Sequence, residues 1–532
     1  MARDMTKGNI TGHLIAYAVP LVFGNLFQQL YHTVDSVVVG QFYGKEALAA
    51  VGAAGPIMNI LTFLIVGLSL GASILMASYF GAKDYQDLKD EFATSVLSGD
   101  SVVVGQFYGK EALAAVGAAG PIMNILTFLI VGLSLGASIL MASYFGAKDY
   151  QNLKDEFATS VLSGLLLTIV LSGISLAGSR LFIRLTQTPE EISSQASLYL
   201  QIISLGLIFT FFYNIFSAAL RAIGDSRAPL YVLILTTIVN VFLDVFLVGI
   251  CRLGVSGAAI ATIISQAVSA LALFVYIWAK VPLLRLGIRD LKLKTSMLKK
   301  TIDFSSISAV QQTILYVGRL LVQSGVNALG VDAVAAFNAV SIIDSYVLAP
   351  GDSLAASITT FSAQNLGAKE YDRIPKGLRK MLVIAEIYII LTAVVVLFCR
   401  HPLLGIFLKP NETEALRQGM SYLVPMASFY FISGITNTFQ GYYRGIGHLL
   451  ITLFATLVQI PIRVVISYAL FGRLGIQAVA IGTTIGWACM VVFELLMYRR
   501  YGRVEALRVM RCLDGWGFRL WRLVRRLDGL VW

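Results

Sequence analysis

The chain has 532 residues, of which 57% are hydrophobic and 13% charged, with a net charge of +11 and a mean hydropathy of +0.77. A soluble protein of this size carries roughly a quarter of its residues as charges, so a soluble fold is excluded. Recurrent apolar runs of about 20 residues point instead to an all-α polytopic membrane protein, and their length excludes the short alternating strands of a membrane barrel.

The basic excess does not indicate nucleic acid, because basic residues gather in the cytoplasmic loops of membrane proteins. Cys251, Cys399, Cys489 and Cys512 are scattered without a CxxC pair, and the four histidines form no HExxH. Neither a metal site, a disulfide framework nor a cofactor is expected, and an enzyme is not expected. The first apolar run contains Asn25, Gln28, Gln29 and Asp35, unlike the apolar core of a cleavable leader.

Apolar blocks predict fourteen spans, at 13–42, 52–82, 92–108, 117–147, 157–178, 196–219, 229–250, 257–279, 302–328, 334–364, 381–399, 417–440, 450–471 and 478–498. With the N-terminus placed in the cytoplasm, 30 of the 41 Lys+Arg fall on cytoplasmic segments. That asymmetry predicts cytoplasmic termini and an inner (plasma) membrane location.

Two repeats underlie the series. Residues 35–99 recur at 100–164, and the only difference is Asp87 against Asn152. Near-identity over that length marks a recent tandem duplication, which adds two spans and preserves the sidedness of everything after it. The second repeat is older. Gly146-Ala147-Lys148-Asp149-Tyr150 returns as Gly367-Ala368-Lys369-Glu370-Tyr371, Arg221-Ala222-Ile223-Gly224 as Arg444-Gly445-Ile446-Gly447, and Leu253-Gly254 as Leu474-Gly475. The halves share orientation, so the expected architecture is two parallel six-helix lobes about an axis along the membrane normal, with substrate between them. The predicted division is an N-terminal lobe over 1–279, a cytoplasmic linker over 280–301, a C-terminal lobe over 302–498 and a basic tail over 499–532. In the tail, Leu520, Leu523, Val524, Leu527 and Val531 oppose Arg519, Arg522 and Arg526, the pattern of an interfacial amphipathic helix.

Charges inside a bilayer are costly and mark candidate sites. Asp35 and Asp244 each lie roughly 10 Å from the outer ends of their spans, at 1.5 Å per residue. Asn240 shares a face with Asp244, and Thr262 and Ser265 lie on the following span. Two carboxylates with amide and hydroxyl partners suit a proton or sodium ion; a structural hydrogen-bond network is the alternative. In the second half, Arg319 and Asp344 have matched depth, which predicts an ion pair. Arg463 has no evident partner, and Asp352 follows Pro350, where a helix break would line a cavity. Glu386 and Glu494 sit near cytoplasmic ends with access to water. Pro20 is expected to bend the first span. Intramembrane Asp outnumbers Arg, which favours a lipophilic cation as substrate.

Several of these features together resemble the multidrug and toxic compound extrusion (MATE) family, in its DinF-like branch. They are Pro20, Asn25, Gln28-Gln29-Leu30-Tyr31, Val34-Asp35 and Val39-Gly40, then Ala47-Leu48-Ala49-Ala50-Val51-Gly52, then Gln364-Asn365-Leu366-Gly367-Ala368. Arg221-Ala222-Ile223-Gly224, Asn240, Asp244 and Gly254…Gly257-Ala258-Ala259 complete the set. The resemblance implies twelve helices in two lobes and efflux of small organic cations in exchange for H⁺ or Na⁺, with membrane lipid as surroundings and a monomeric state. It assigns cation coupling to Asp35, Asn240 and Asp244, with Thr262 and Tyr199, and helix bending to Pro20. The NorM-type branch carries a Glu on helix seven, which the span 302–328 lacks; that departure favours the N-terminal lobe and protons. The alternatives are a lipid-linked oligosaccharide flippase of the same superfamily and a transporter inactivated by its duplication. Which copy of the duplicated helix packs in the lobe stays open, with Asp35 preferred over Asp100 as the coupling residue.

Overall fold

A computed structural model describes residues 3–23, 130, 134, 137–185, 190–287, 290–408 and 410–501. Among the described residues the secondary structure is helical, without strands. This is the solution a bilayer imposes, because every backbone N–H and C=O must be paired within the segment. Eight of the helices are long and apolar enough to cross a membrane. Asp35, Asp100, the whole first copy (35–99), the spans 52–82 and 92–108, and the tail beyond Tyr501 lie outside the described residues.

In chain order the first bundle contains α1 (Ile10–Phe23), α2 (Ala137–Gly146), α3 (Tyr150–Leu185), α4 (Glu190–Ala222), α5 (Arg227–Asp244) and α6 (Gly254–Lys280). A π-helical segment, Val245–Ile250, continues α5. The second bundle contains α7 (Thr295–Asn327), α8 (Val331–Gly367), α9 (Arg373–Phe398), the short α10 (Arg400–Gly405), α11 (Thr413–Ser428), α12 (Tyr430–Gly445), α13 (Leu449–Leu474) and α14 (Gln477–Tyr501). Helices α3, α4, α5 and α6 pack on one another, as do α7, α8, α9, α12, α13 and α14, giving two lobes.

The helix faces follow a membrane pattern. On α9, Ile387, Leu391, Val395 and Phe398 are exposed, while Met381, Ala385, Ile389 and Ala393 are buried. The large apolar face therefore looks toward lipid, and smaller side chains mediate packing inside the lobe.

The older repeat is a repeat of backbone as well as of sequence. Lys148 and Lys369 both adopt left-handed conformations (φ 56° and 62°), as do Gly224 and Gly447 (φ 87° and 82°). These positions stop a helix by the same αL turn in each half.

The described part of the second copy lies in the first lobe. Ala137, Ile139, Met141 and Ala142 of α2, with Leu153 and Phe157 of α3, all from the second copy, are buried in the core. Ser138 Oγ donates to the Ala218 carbonyl on α4 (2.6 Å).

Three expectations need correction. The span 417–440 is two helices, α11 and α12, that meet at Phe429. The linker ends earlier than 301, because α7 begins at Thr295. Pro350 does not break its helix: α8 runs through it from Val331 to Gly367. The ring removes one hydrogen bond, which the buried, well-packed surroundings of residues 349–357 tolerate.

Candidate functional site

In the N-terminal lobe, Tyr199 on α4, Asn240 and Asp244 on α5, and Thr262 on α6 are all buried, with exposures of 3% or less. Their three helices pack against one another. Asp244 is the last α-helical residue before the π-helical segment, a local departure that often marks a functional position. The Asn240 side-chain amide nitrogen is buried without a hydrogen-bond partner among the described residues. Thr262 Oγ1 donates back to the Ala258 carbonyl (3.1 Å), and Ser265 Oγ donates to Ala261 (2.8 Å). Asp35, assigned to the same site, lies outside the described residues, and Pro20 is buried within α1.

The internal repeat gives this site a counterpart in the other lobe. At an offset of 223 residues, Tyr199 corresponds to Tyr422, Asn240 to Arg463 and Asp244 to Ser467; at 221, Thr262 corresponds to Thr483. The two extra residues of the first half fall between Asp244 and Leu253, the stretch that contains the π segment. Thr483 repeats the back-bond of Thr262, donating to Val479 (2.7 Å). The chemistry differs at the centre: a guanidinium replaces an amide, and a hydroxyl replaces a carboxylate.

Asp344 lies buried beside this counterpart, but it does not pair with Arg319 as its depth had suggested. Its Oδ1 accepts a hydrogen bond from the Tyr430 hydroxyl, and the cation that influences it is Arg463. Matched depth had identified two helices at one level without saying which way each side chain is turned. Arg463, half-buried, has Tyr422, Arg319 and Asp344 as electrostatic neighbours. Asp352 is also buried, at 5% exposure.

A second feature is a seal between the lobes at the end that carries the N-terminus. The segment before α1 lies between them, with Met5 fully buried. On the first lobe, the Arg3 amide donates to the Ile223 carbonyl (2.7 Å), and Ser226 Oγ donates to the Tyr17 carbonyl (3.0 Å). On the second, the Met5 amide donates to Gln364 Oε1 (3.0 Å), while Arg373 donates to the carbonyls of Met5 (3.2 Å) and Gly8 (3.1 Å). Gln364 also reaches the first lobe directly, its Nε2 donating to the Ala222 carbonyl (2.9 Å). Ser357 Oγ donates to Leu14 (2.8 Å), and Thr360 Oγ1 meets the Tyr17 hydroxyl (3.0 Å).

The two repeat glycines close this end reciprocally. A Cβ on Gly146 would sit 1.8 Å from the Gln364 carbonyl oxygen, and one on Gly367 would sit 1.8 Å from that of Ser143. Only glycine allows these backbones to approach so closely. The linker and the first turns of α7 also hold α3: Lys294 forms an ion pair with Asp155, Thr159 Oγ1 donates to the Lys292 carbonyl (3.3 Å), and Thr301 Oγ1 on α7 donates to Glu156 Oε1 (2.6 Å).

Sequence reasoning missed the N-terminal segment, whose short polar stretch carries no signal of burial. Gln364 and Asn365 were visible as a motif, but not as a bridge. Glu494 is a correction in the opposite sense. Expected to reach water, it is fully buried, accepting from Gln440 Nε2 (2.6 Å). Gln311 joins the same network, donating to Gln440 Oε1 (3.0 Å) and Thr456 Oγ1 (2.9 Å). Glu386, also expected near water, is half-buried with Oε1 enclosed.

The MatE family matches this chain over residues 20–99, 98–246 and 308–469, well over half of its length. The chain belongs to the MatE family. The first two matched stretches meet at residues 98–99, at the joint between the duplicated copies. Among curated relatives, the chain is 29% identical to the probable multidrug resistance protein YoeA of Bacillus subtilis (strain 168), over 75% of this chain and 88% of that protein. It is 27% identical to the probable multidrug resistance protein YpnP of the same organism, over 96% and 99%. A FAD transporter of Shewanella oneidensis is 27% identical over 69% of this chain and 83% of its own. The fold is that of a solved MATE transporter in the bent conformation, with a TM-score of 0.72 and 21% identity, covering 90% of this chain and 98% of that one.

Proposed function

We propose that this MatE protein is a secondary efflux transporter that expels lipophilic organic cations in exchange for H⁺, with Na⁺ as the alternative coupling ion. The observation that carries the reading is the buried group Tyr199, Asn240, Asp244 and Thr262 on three packed helices long and apolar enough to cross a membrane. A carboxylate held in a bilayer beside an amide and hydroxyls binds a proton or small cation readily and releases it when the surroundings change. The family resemblance assigns Asp35 to the same site, and the Asn240 amide nitrogen has no partner among the described residues.

Antiport needs two exclusive conformations, and the inter-lobe seal supports one of them. With the N-terminus, the linker and the tail cytoplasmic by their positive charge, the closed end faces the cytoplasm and substrate leaves from the other side. Alternating access then consists of breaking the contacts of Met5, Gln364 and Gly146/Gly367 at one end and forming others at the opposite end. The names of the two Bacillus relatives support multidrug export as the task.

The test is dissipation of ΔpH in everted membrane vesicles on addition of a lipophilic cation such as ethidium. The expected outcome is a response in the full chain that Asp244→Asn and Asp35→Asn each abolish while Asp100→Asn does not. Silence both in the full chain and in a chain lacking residues 35–99 would overturn the proposal. A response only in the shortened chain would show that the duplication disables transport.

A further inference from the structure

The C-terminal counterpart of the cation site has the opposite polarity, and the geometry points to a use for it. We propose that Arg463, framed by Tyr422 and Thr483, binds an acidic group on the transported molecule, a carboxylate or phosphate, while the N-terminal lobe handles the coupling cation. The proposal rests on the efflux reading above and narrows its substrate class to lipophilic cations that also carry an acidic group.

Four observations carry it. Arg463 stands where the older repeat places Asn240 in the first lobe, between the equivalents of Tyr199 and Thr262. Its position is therefore that of the site, on the same helix face of an equivalent helix. Its guanidinium makes no hydrogen bond and no ion pair among the described residues, and its Nε is enclosed without a partner. An enclosed guanidinium nitrogen without a partner is costly inside a membrane protein, and the planar fork of the group matches a carboxylate or phosphate. The nearest carboxylate, Asp344, is already engaged by Tyr430 and does not reach Arg463 within ion-pair distance. Finally, Arg319 adds a second positive charge to the same neighbourhood.

A structural arginine would look different. Burial of a charge for packing alone requires that its donors be satisfied by the protein, as the Arg373 donors are by Met5 and Gly8. In Arg463 that saturation is missing.

The experiment compares a carboxylated rhodamine with its methyl ester, two probes of nearly the same shape that differ in one charge. Binding to the purified full-length protein in phosphatidylcholine nanodiscs is read by fluorescence anisotropy, which needs no transport. The expected result is a preference for the free acid that falls about tenfold or more in Arg463→Gln, the loss expected for one charge-assisted interaction, and returns partly in Arg463→Lys. Melting temperature and monodispersity of each variant establish that it folds. Equal weakening of both probes, or no change in their ratio, would overturn the proposal. So would loss of the acid preference on adding phosphatidylglycerol to the nanodiscs, which would assign the site to an anionic lipid headgroup instead. Export of the two probes from vesicles is measured alongside. If binding discriminates but neither probe is moved, the efflux reading fails while the acid site stands.

Discussion

The two lobes share a backbone and differ in what they keep inside it. In the first, the equivalent core positions hold Tyr199, Asn240, Asp244 and Thr262; in the second they hold Tyr422, Arg463, Ser467 and Thr483. The tyrosine and the threonine persist in both lobes, and each threonine returns its hydroxyl to the carbonyl one turn back. The two central positions diverge in charge, and Ser467 returns its hydroxyl to the Arg463 carbonyl (2.7 Å) where the first lobe keeps a carboxylate. The repeat thus supplies equivalent positions with unequal charge. The substrate chemistry argued from the total of intramembrane charges, in which Asp outnumbers Arg, misses this distribution.

The comparison can be broken most severely where the lobes are alike. Gly146→Val and Gly367→Val each drive a side chain into the other lobe's backbone. Both are expected to abolish the closed end and to lower the melting temperature strongly, by an amount corresponding to more than about 4 kcal/mol. Unequal damage from the two would refute the reciprocal crossing, and thermal unfolding of the purified proteins decides it.

Next in size is the pair at the site itself. Asp244→Asn is expected to remove the ΔpH response at least about a hundredfold, whereas Ser467→Ala, its counterpart, changes it less than about twofold; a comparable loss at Ser467 would give both lobes a role in coupling. A hundredfold corresponds to about 2.7 kcal/mol of lost interaction, within reach of one buried charge.

A smaller effect separates Gln364 from Ser143, its equivalent in the first half. Gln364→Ala deletes the bonds to Met5 and Ala222 and is expected to weaken the seal by about 1–3 kcal/mol. Faster hydrogen exchange at the Met5 amide is the readout. Ser143→Ala should leave that amide protected, and the same acceleration in both variants would mean that the seal has no Gln-specific bridge.

The smallest effect is one of pH at the N-terminal segment. Burial opposes ionisation of Asp4, but hydrogen bonds from the Thr6 hydroxyl and amide hold its carboxyl below the ordinary value of 3.8. A depressed acid contributes stability above its unfolded pKa and loses it as pH falls through the folded one. Protection of the Thr6 amide should therefore be flat from neutral pH down to about 4 and decline below. Asp4→Asn should remove that decline, and a fall already complete at pH 6 would exclude Asp4 as its source.

Much of this was legible beforehand because a bilayer makes local sequence informative. Long apolar runs gave the helices of both lobes, since no other backbone arrangement survives in hydrocarbon. The repeated Gly-Ala-Lys and Arg-x-Ile-Gly motifs predicted a repeated fold, and the left-handed residues of both halves coincide as the motifs do. Depth along a helix also transfers from sequence, which is why Asn240, Asp244 and Thr262 were identified before their burial was known. Azimuth does not transfer. Arg319 and Asp344 share a level yet turn to different neighbours, and Glu494, close to a helix end, is turned fully inward.

By itself the sequence determined the class, the family resemblance, the doubled lobe and the polar residues that a membrane would otherwise reject. Those are properties of composition and spacing, summed along one chain. Tertiary structure decided that α2 of the second copy packs against α4, that Tyr430 rather than Arg319 serves Asp344, and that Met5 and Gln364 close one end. The reason is geometric. Helices at one depth offer the same residues to their neighbours, so only the rotation and contact of packed helices selects among them.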